Sequence, residues 1–241
     1  MLEIVGLTKY FGSLAAVNGL SFRVDAGEIV GLLGPNGAGK TTTIRCIAGI
    51  LQADAGEVRL CGKDIVREPE AAKQTLAYVP ETPNPYEMLT VMEHLRFIAA
   101  AFGTEDELAS AQPLLDSLDL WEKRNALAAT LSKGMRQKLA CACAFIHRPE
   151  ILCFDEPLVG IDPKGARALK DRLMERRDAG KAVLVSTHML DTAERLCDRV
   201  VIMHQGALVV EGTMAEIHER AHAEADATLE DMFLQLTEDA Q

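Results

Sequence analysis

The sequence predicts an α/β fold with a mostly parallel β-sheet and an inserted α-helical subdomain. Three observations support this fold class. Short, continuously apolar segments alternate with amphipathic helical segments, which is typical of a buried parallel sheet. A glycine-rich segment directly follows one of the apolar segments, and residues 82–149 contain three helical patterns. A chain of 241 residues is long enough to bury the core that such a domain needs.

Eight apolar or alternating segments are predicted to be strands: residues 3–7, 20–24, 29–33, 75–79, 151–154, 182–186, 200–203 and 207–210. The last two flank Gln205-Gly206 and are predicted to form a hairpin. Segments with helical spacing predict four helices: residues 91–102, 105–120, 134–147 and 164–177. Pro113 is expected to break or kink the second helix, and Gly180 is expected to end the fourth.

The chain is predicted to form one domain, with an α/β core at residues 1–81 and 150–241 and a helical insertion at residues 82–149. A C-terminal helical tail is expected within residues 213–241. Its apolar side chains recur at helical spacing: Leu229, Met232, Phe233 and Leu236. We expect this face to pack on its own domain, and the alternative is a surface that binds a partner.

The composition restricts the possible partners and the cellular location. A formal net charge of -11 argues against general nucleic-acid binding, since such proteins present a basic face to the phosphates. The first residues lack the basic and apolar segments of a secretory signal, and no stretch approaches the roughly 18 apolar residues that would span a bilayer. We therefore expect a cytoplasmic protein that reaches a membrane only through a partner.

The glycine-rich segment has the pattern of a phosphate-binding loop: Gly34-Pro35-Asn36-Gly37-Ala38-Gly39-Lys40-Thr41. It follows an apolar segment, as the loop of a P-loop NTPase core follows a strand. The glycines allow backbone N–H groups to surround a β-phosphate. Lys40 supplies a positive charge to the β and γ oxygens, and Thr41 offers a hydroxyl to Mg²⁺. This motif predicts binding of a nucleoside triphosphate.

Two adjacent carboxylates follow the apolar segment at residues 151–154. Asp155 is suited to Mg²⁺ coordination, and Glu156 is suited to act as a general base that polarises water. Both are expected at the carboxyl end of a strand, where ligands bind in open parallel sheets. His188 is expected at the end of a third strand, and its role depends on its position relative to these acids.

Ser132 and Gly134 stand at the start of the predicted helix 134–147. The serine hydroxyl and the glycine N–H are able to form a second anion site at a helix N-terminus. Taken alone, the segment is also an ordinary helix start with a serine cap. These residues leave both interpretations open.

In this order, the motifs resemble those of the nucleotide-binding subunit of ATP-binding cassette (ABC) transporters, and the resemblance extends over essentially the whole chain. It implies a P-loop NTPase core that also carries an antiparallel β subdomain. The family's phosphate loop, acidic strand and D-loop correspond to residues 34–42, 151–156 and 159–162. His188 corresponds to the family's switch histidine. Phe11 lies where the family places the aromatic side chain that stacks on adenine, with Tyr10 as the alternative.

Two segments depart from the family pattern. The signature, usually Leu-Ser-Gly-Gly-Gln, is Leu131-Ser132-Lys133-Gly134-Met135 here, and Glu81 replaces the usual glutamine of the loop that leaves the core. An ionised glutamate accepts hydrogen bonds but does not donate them. Glu81 is therefore expected to contribute to Mg²⁺ binding but to orient the attacking water less well. Both departures resemble the exporter branch whose ATPase and membrane subunits are separate chains.

The resemblance implies an ATPase, with ATP and Mg²⁺ as ligands, that powers transport of an unidentified substrate through an integral membrane permease. It implies a peripheral location on the cytoplasmic face of the membrane, and export as the direction. Two ATP-binding subunits, identical or related, would close head to tail. The alternatives are a soluble ABC ATPase that acts without a membrane partner, and a regulatory nucleotide-binding module with slow turnover.

The resemblance also assigns roles to residues. Catalysis is expected from Glu156, His188 and Glu81, and metal binding from Thr41, Asp155 and Glu81. The residues expected to bind nucleotide are Phe11, Gly34, Pro35, Asn36, Gly37, Ala38, Gly39, Lys40, Thr41, Thr42, Ser132, Gly134 and Asp162. Ser132 and Gly134 would act on the γ-phosphate held by the opposite chain. The loop with Tyr86 and Met88 is expected to help form a groove for a cytoplasmic helix of the membrane subunit.

Overall fold

The computed structural model describes residues 1–220, 228, 229, 231 and 232, and it contains two β-sheets surrounded by helices. The strands are β1 (Leu2–Phe11), β2 (Leu14–Val24), β3 (Glu28–Leu33), β4 (Ala55–Leu60), β5 (Lys63–Asp64), β6 (Leu76–Val79), β7 (Ile151–Asp155), β8 (Ala182–Thr187), β9 (Arg199–His204) and β10 (Ala207–Gly212). The α-helices are α1 (Lys40–Ile47), α2 (Pro69–Lys73), α3 (Val91–Phe102), α4 (Ala111–Ser117), α5 (Lys133–Ile146), α6 (Pro163–Asp178), α7 (Leu190–Leu196) and α8 (Met214–Arg220).

The larger sheet has its strands in the order β10-β9-β3-β8-β7-β6. Every neighbouring pair is parallel except β9 and β10, which form the predicted hairpin around Gln205-Gly206. Strand β8 lies between β3 and β7, and its Ser186 pairs with Leu32 on one side and with Asp155 on the other. The carboxyl ends of β3, β8 and β7 therefore lie side by side.

The smaller sheet is antiparallel, with strands in the order β2-β1-β4-β5. Together, the two sheets confirm the predicted α/β class with a mostly parallel core and an antiparallel β subdomain. Strands β1 and β2 extend well beyond the predicted segments, and β4 and β5 are not predicted by the sequence pattern. In β4 only Val58 and Leu60 are buried, so the alternation of apolar side chains is too short to indicate a strand.

The two faces of the larger sheet pack against different layers. Val30 and Leu184 face a core shared with α1 and the antiparallel sheet. Ile29 and Val183 face a second core, which is shared with α3, α5 and α6. Successive side chains of a strand point to opposite faces. Because both faces are covered, the central strands are continuously apolar, as the sequence indicates.

The helical layer beside the sheet begins with α3, which spans the predicted residues. Its N-terminus has a capping box, in which Thr90 and Glu93 each accept a hydrogen bond from the other's backbone N–H. The predicted helix 105–120 is instead a 3₁₀ helix, Glu105–Ser110, followed by α4. The expected break near Pro113 falls between Ser110 and Ala111. Pro113 itself lies in the first turn of α4, where its missing N–H removes no helical hydrogen bond.

The C-terminal part of the described chain returns to the main core. Helix α8 packs beside β10, and its Ile217 is buried. Leu229 and Met232 are also buried in the core that contains α3 and α5. Phe233 and Leu236 lie outside the described residues. Among the helices that the structure describes, none combines the length and the apolar character needed to cross a bilayer.

Candidate nucleotide-binding site

Glycines shape the loop between β3 and α1. Gly34, Gly37 and Gly39 have φ angles of 153°, 84° and 102°, in the region that favours glycine. A β-carbon on Gly34 would collide with the backbone carbonyl of Met203, and one on Gly39 would collide with the carbonyl of Ala16. The loop therefore keeps its path between β9 and β2 only with glycine at these two positions.

Lys40 is the first residue of α1, and its side chain turns back over the loop. Its Nζ donates to the carbonyl oxygens of Gly34 at 2.7 Å and Pro35 at 3.2 Å, and it lies 4.0 Å from Oε1 of Glu156. Burial lowers the pKa of Lys40, while the neighbouring carboxylates, Glu156 first among them, act in the opposite direction. This places a buried positive charge at the N-terminus of α1, whose dipole also favours anions.

Asp155 is the last residue of β7 and is 1% exposed. Its Oδ1 accepts hydrogen bonds from the hydroxyl of Thr41 at 3.2 Å and from the hydroxyl of Ser186 at 2.6 Å. Through these two hydrogen bonds, β7 is linked directly to α1 and to β8. Hydroxyl and carboxylate oxygens are the ligands that Mg²⁺ prefers, so Thr41 and Asp155 together are suited to hold this ion.

Glu156 follows β7 and turns away from the strand, with a φ angle of 49° that is uncommon for a non-glycine residue. Its backbone N–H donates to the carbonyl oxygen of Ser186 at 3.1 Å and to the Ser186 hydroxyl at 3.2 Å. Nδ1 of His188 lies 2.8 Å from Oε1 of Glu156. Oε2 is buried and has no hydrogen-bond partner among the described residues. One carboxylate oxygen is therefore held by the histidine, and the other is available as an acceptor.

These groups surround one pocket of about 760 Å³, a size typical of small-molecule sites. Phe11 is half exposed and lines the pocket, whereas the alternative, Tyr10, does not. The other predicted residues on the wall are Asn36, Gly37, Ala38, Gly39, Lys40, Thr41, Thr42, Glu81, Glu156 and His188. Three predicted residues are not on the wall: Gly34, Pro35 and Asp155. Each of them forms a hydrogen bond with a wall residue, either Lys40 or Thr41.

Sequence reasoning missed several residues of the pocket. The wall residues that were given no role are Leu14, Ala15, Ala16, Gln205 and Val159, the first residue of the predicted D-loop. Leu14 pairs with Phe11 across the turn between β1 and β2 and is 66% exposed. A solvent-exposed apolar pair at a turn is the signal that could have identified it. Ser186 was also missed, although it is a hydroxyl residue at the end of an apolar strand, two positions before His188.

Ser132 and Gly134 do not line this pocket. Ser132 caps α5, and its Oγ accepts a hydrogen bond from the backbone N–H of Met135 at 3.3 Å. A β-carbon on Gly134 would come within 2.5 Å of the carbonyl oxygen of Gly160, so the start of α5 packs tightly against the loop before α6. Within one chain the segment is an ordinary capped helix start, and its role as an anion site stays a prediction.

Asp162 also lies outside the pocket and caps α6. Its carboxylate accepts a hydrogen bond from the N–H of Gly165 at 3.0 Å and pairs with Nζ of Lys138 at 2.6 Å. The hydrogen bond from Lys138 lowers the pKa of Asp162. Because Lys138 belongs to α5, this ion pair joins the N-terminal regions of α5 and α6 into one surface that includes Ser132.

The chemistry of the wall fits a magnesium–nucleotide complex. The buried ammonium of Lys40 and the first N–H groups of α1 favour phosphate oxygens. The oxygens of Thr41 and Asp155 favour a small divalent cation. The half-exposed ring of Phe11 offers a flat apolar surface on which a base could stack.

Comparison with known proteins agrees with this geometry. The sequence profile of the ABC transporter family matches residues 17–159. The ABC-type transporter ATP-binding protein EcsA of Bacillus subtilis (strain 168) is 39% identical over 241 residues, which cover 99% of this chain and 97% of that protein. The Nod factor export ATP-binding protein I of Burkholderia lata is 39% identical over 213 residues, which cover 88% of this chain and 70% of that protein.

A solved structure of the ATP binding subunit of an ABC transporter superimposes with a TM-score of 0.94 at 38% identity, covering 98% of this chain and 99% of that one. The family profile spans more than half of the chain, and the relatives match at well above 30% identity. The fold, the pocket behind the glycine loop and these similarities together show that this chain belongs to the ABC transporter family, as an ATP-binding subunit.

Proposed function

We propose that this subunit binds ATP with Mg²⁺, hydrolyses it, and uses the cycle to power export through a separate integral membrane subunit. The observation that carries the proposal is the convergence, in one pocket, of Lys40, Thr41, Glu156 and His188 around the buried Asp155. Hydrolysis of a phosphoanhydride needs a positively charged cradle, a metal site and a group that activates water. We propose that the residues of the pocket, together with Asp155, supply all three.

Lys40 and the N-terminus of α1 would bind the β- and γ-phosphates. Thr41 and Asp155 would hold Mg²⁺, which supplies charge neutralisation to the phosphate oxygens when it is bound. Phe11 would stack on the base. Glu81, whose negative charge acts on Lys40, would lie close to the phosphate end of the nucleotide.

Glu156 is the proposed general base. Its Oε2 is buried without a partner among the described residues, so it would accept a hydrogen bond from the attacking water. The contact between His188 and Oε1 fixes the direction in which the carboxylate points. His188 is half exposed at the pocket, so it would also reach the γ-phosphate and stabilise the charge that develops there.

Two such subunits would close head to tail. The pocket of one chain lacks any contribution from its own Ser132 or Gly134, which lie on the surface joined to Asp162. That surface carries the N-terminus of α5, an arrangement suited to the γ-phosphate of a nucleotide bound by a second chain. Closing and reopening of this dimer would be the mechanical step that moves the membrane subunit.

Apolar side chains beside the helical layer support contact with a membrane subunit. Tyr86, Met88 and Phe97 are 63%, 80% and 49% exposed, and the rings of Tyr86 and Phe97 meet edge to face with centroids 5.6 Å apart. Exposed apolar clusters of this kind are typical of interaction surfaces. Export is also supported by one relative, the Nod factor export ATP-binding protein I of Burkholderia lata.

Replacing Glu156 by glutamine tests the proposal. Glu156→Gln keeps the shape of the side chain but removes the base, so hydrolysis should fall by at least about 100-fold. ATP should still bind, and size-exclusion chromatography with ATP should show a stable dimer that is absent with ADP. The double variant Lys40→Ala/Glu156→Gln is the control, because loss of the phosphate-binding charge should abolish ATP-dependent dimerisation.

Two results would contradict this function. A Glu156→Gln protein that binds ATP but stays monomeric at every concentration tested would argue against the head-to-tail dimer. Wild-type protein that binds ATP but does not hydrolyse it would instead favour a regulatory module, in which Glu81 is unable to help orient water.

A further inference from the structure

Ser186 occupies a central position in the proposed site although it is not on the pocket wall. Strand β8 lies between β3 and β7, and Ser186 pairs in register with Leu32 on one side and with Asp155 on the other. In a parallel sheet, paired residues point to the same face. The register therefore brings the Ser186 hydroxyl next to the Asp155 carboxylate, and Ser186 is completely buried.

The hydroxyl of Ser186 joins the two acids of the site. It donates to Oδ1 of Asp155 at 2.6 Å and accepts from the backbone N–H of Glu156 at 3.2 Å. A carboxylate only accepts and an N–H only donates, so the direction of both hydrogen bonds is fixed. One hydroxyl thus sets the orientation of the Asp155 carboxylate and contacts the backbone at the point where Glu156 turns away from β7.

The other partner of Asp155 is less suited to this task. The Thr41 hydroxyl is farther away, at 3.2 Å, and it belongs to the loop end of α1 that would contact both metal and nucleotide. Ser186 is held on β8, between β3 and β7, and its position does not depend on bound nucleotide. The short, charge-assisted bond from Ser186 is the one that would keep Asp155 in place before a ligand arrives.

We propose that Ser186 is a positioning residue for magnesium: through Asp155 it sets the affinity of the site for the metal, and through the Glu156 backbone it places the proposed base. This inference rests on the proposed function. Residues that orient a metal ligand typically change metal affinity by about 10- to 100-fold when they are lost. Nucleotide affinity without the metal should not depend on Ser186, because the hydroxyl does not reach the pocket.

The test is Ser186→Ala in the full chain, with calorimetric titration of ADP in the presence and absence of Mg²⁺ and detection of bound Mn²⁺ by electron paramagnetic resonance. We expect Mn²⁺ to bind the variant–ADP complex about 10- to 100-fold more weakly than the wild-type complex. ADP affinity without metal should stay within about twofold. The fold should survive, because the N–H of Glu156 keeps its bond to the Ser186 carbonyl oxygen.

Cys153→Ala is the matched control. Cys153 is buried on the same face of β7, two residues before Asp155, and its replacement also deletes one heavy atom. If Cys153→Ala weakens metal binding as much as Ser186→Ala does, the effect is packing and the inference is wrong. Ser186→Cys, which keeps a group of similar size but a much weaker donor, should weaken metal binding like alanine even if the alanine variant folds poorly.

A double-mutant comparison tests the route through Asp155. In an Asp155→Asn background, adding Ser186→Ala should cause little further loss of Mn²⁺ affinity. Full additivity of the two losses, or an unchanged metal affinity in Ser186→Ala, would overturn the positioning role. Absence of metal-dependent ADP binding in the wild-type protein would instead contradict the proposed function itself.

Discussion

The two adjacent acids of the site have different surroundings, and this difference separates their proposed roles. Asp155 is fixed by two hydroxyl groups that donate to the same carboxylate oxygen. Glu156 turns in the opposite direction through its positive φ angle and leaves one oxygen buried without a partner among the described residues. The two adjacent carboxylates thus have surroundings that suit different proposed roles, a metal ligand for Asp155 and a base for Glu156.

We expect Glu81 to make the nucleotide affinity of this subunit differ from that of relatives with glutamine at this position. Its charge acts on Lys40 and therefore also opposes the negative phosphates. Glu81→Gln should tighten binding of ATP without Mg²⁺ by roughly threefold to tenfold, which corresponds to removing about 1 kcal/mol of repulsion near a protein surface. Fluorescence titration with a labelled nucleotide would measure the change.

Glu87→Gln is the control for this prediction, since Glu87 is exposed on the same loop but does not line the pocket. It should leave metal-free affinity unchanged. Equal affinities for wild type and Glu81→Gln would show that residue 81 does not face the phosphates.

At the level of elements, α5 connects the two halves of the proposed site. Ser132 caps its N-terminus, its first turn packs against the loop before α6, and its Lys138 pairs with Asp162. Directly before Lys138 in α5, Gln137 donates a hydrogen bond from Nε2 to the carbonyl oxygen of Pro80 at 3.4 Å, next to Glu81. A shift of α5 would therefore move both the surface that includes Ser132 and Asp162 and the wall of the pocket.

A buried histidine, His147, follows the last residue of α5 and links stability to pH. His147 is 5% exposed, and its Nε2 donates to the carbonyl oxygen of Gln74 at 3.1 Å. Burial lowers the pKa of His147 below its ordinary value of 6.5. The unfolded chain therefore takes up this proton at higher pH than the folded chain does, so stability is lost as the pH falls below about 6.5.

We expect denaturant unfolding of the wild type to show this loss, with a contribution from His147 of at most about 1.4 kcal/mol per pH unit. His147→Gln keeps an N–H donor and His147→Phe keeps a ring against Phe102. The two variants should differ in absolute stability, but both should show a shallower decrease between pH 7 and pH 5. Variants with the slope of the wild type would show that His147 does not titrate in this range.

For the whole molecule, the main question is what covers the apolar cluster of Tyr86, Met88 and Phe97. Tyr86→Lys combined with Met88→Lys should disrupt contact with a membrane subunit, because a charge buried at an interface without a partner is costly. A pull-down of the wild type from its native membranes in mild detergent should recover a multi-span membrane protein. The double variant should recover at least about tenfold less of it.

Val5→Lys is the matched control. Val5 is 50% exposed on the antiparallel sheet and pairs with Glu57, so the new charge has a partner there. Full recovery of the membrane protein by the Tyr86/Met88 variant would mean that the cluster is not the contact surface. Recovery of soluble complexes alone by the wild type would favour a soluble ABC ATPase.

The sequence predicted the architecture well where a pattern is long or chemically specific. Continuous apolar segments identified the central strands, and the glycine pattern before Lys40 identified the loop that lines the pocket. Short polar elements such as β5 and α2 escaped because a few residues carry too little periodicity. The contact between Glu156 and His188 joins residues 32 positions apart, and it depends on strand order, which no local pattern encodes.

The order of strands also decides when the pocket can form during synthesis of the chain. Both neighbours of β3 come from residues 182–204, and the N–H of Gly206 bonds the carbonyl oxygen of Ala38 inside the phosphate loop. A nascent chain that has been synthesised just beyond Lys40 therefore contains the complete loop sequence. It does not yet contain β8 or β9, the sheet neighbours of β3. The loop gains its final shape only when the β9–β10 hairpin has left the ribosome, so a chain truncated before that point retains the motif without the pocket.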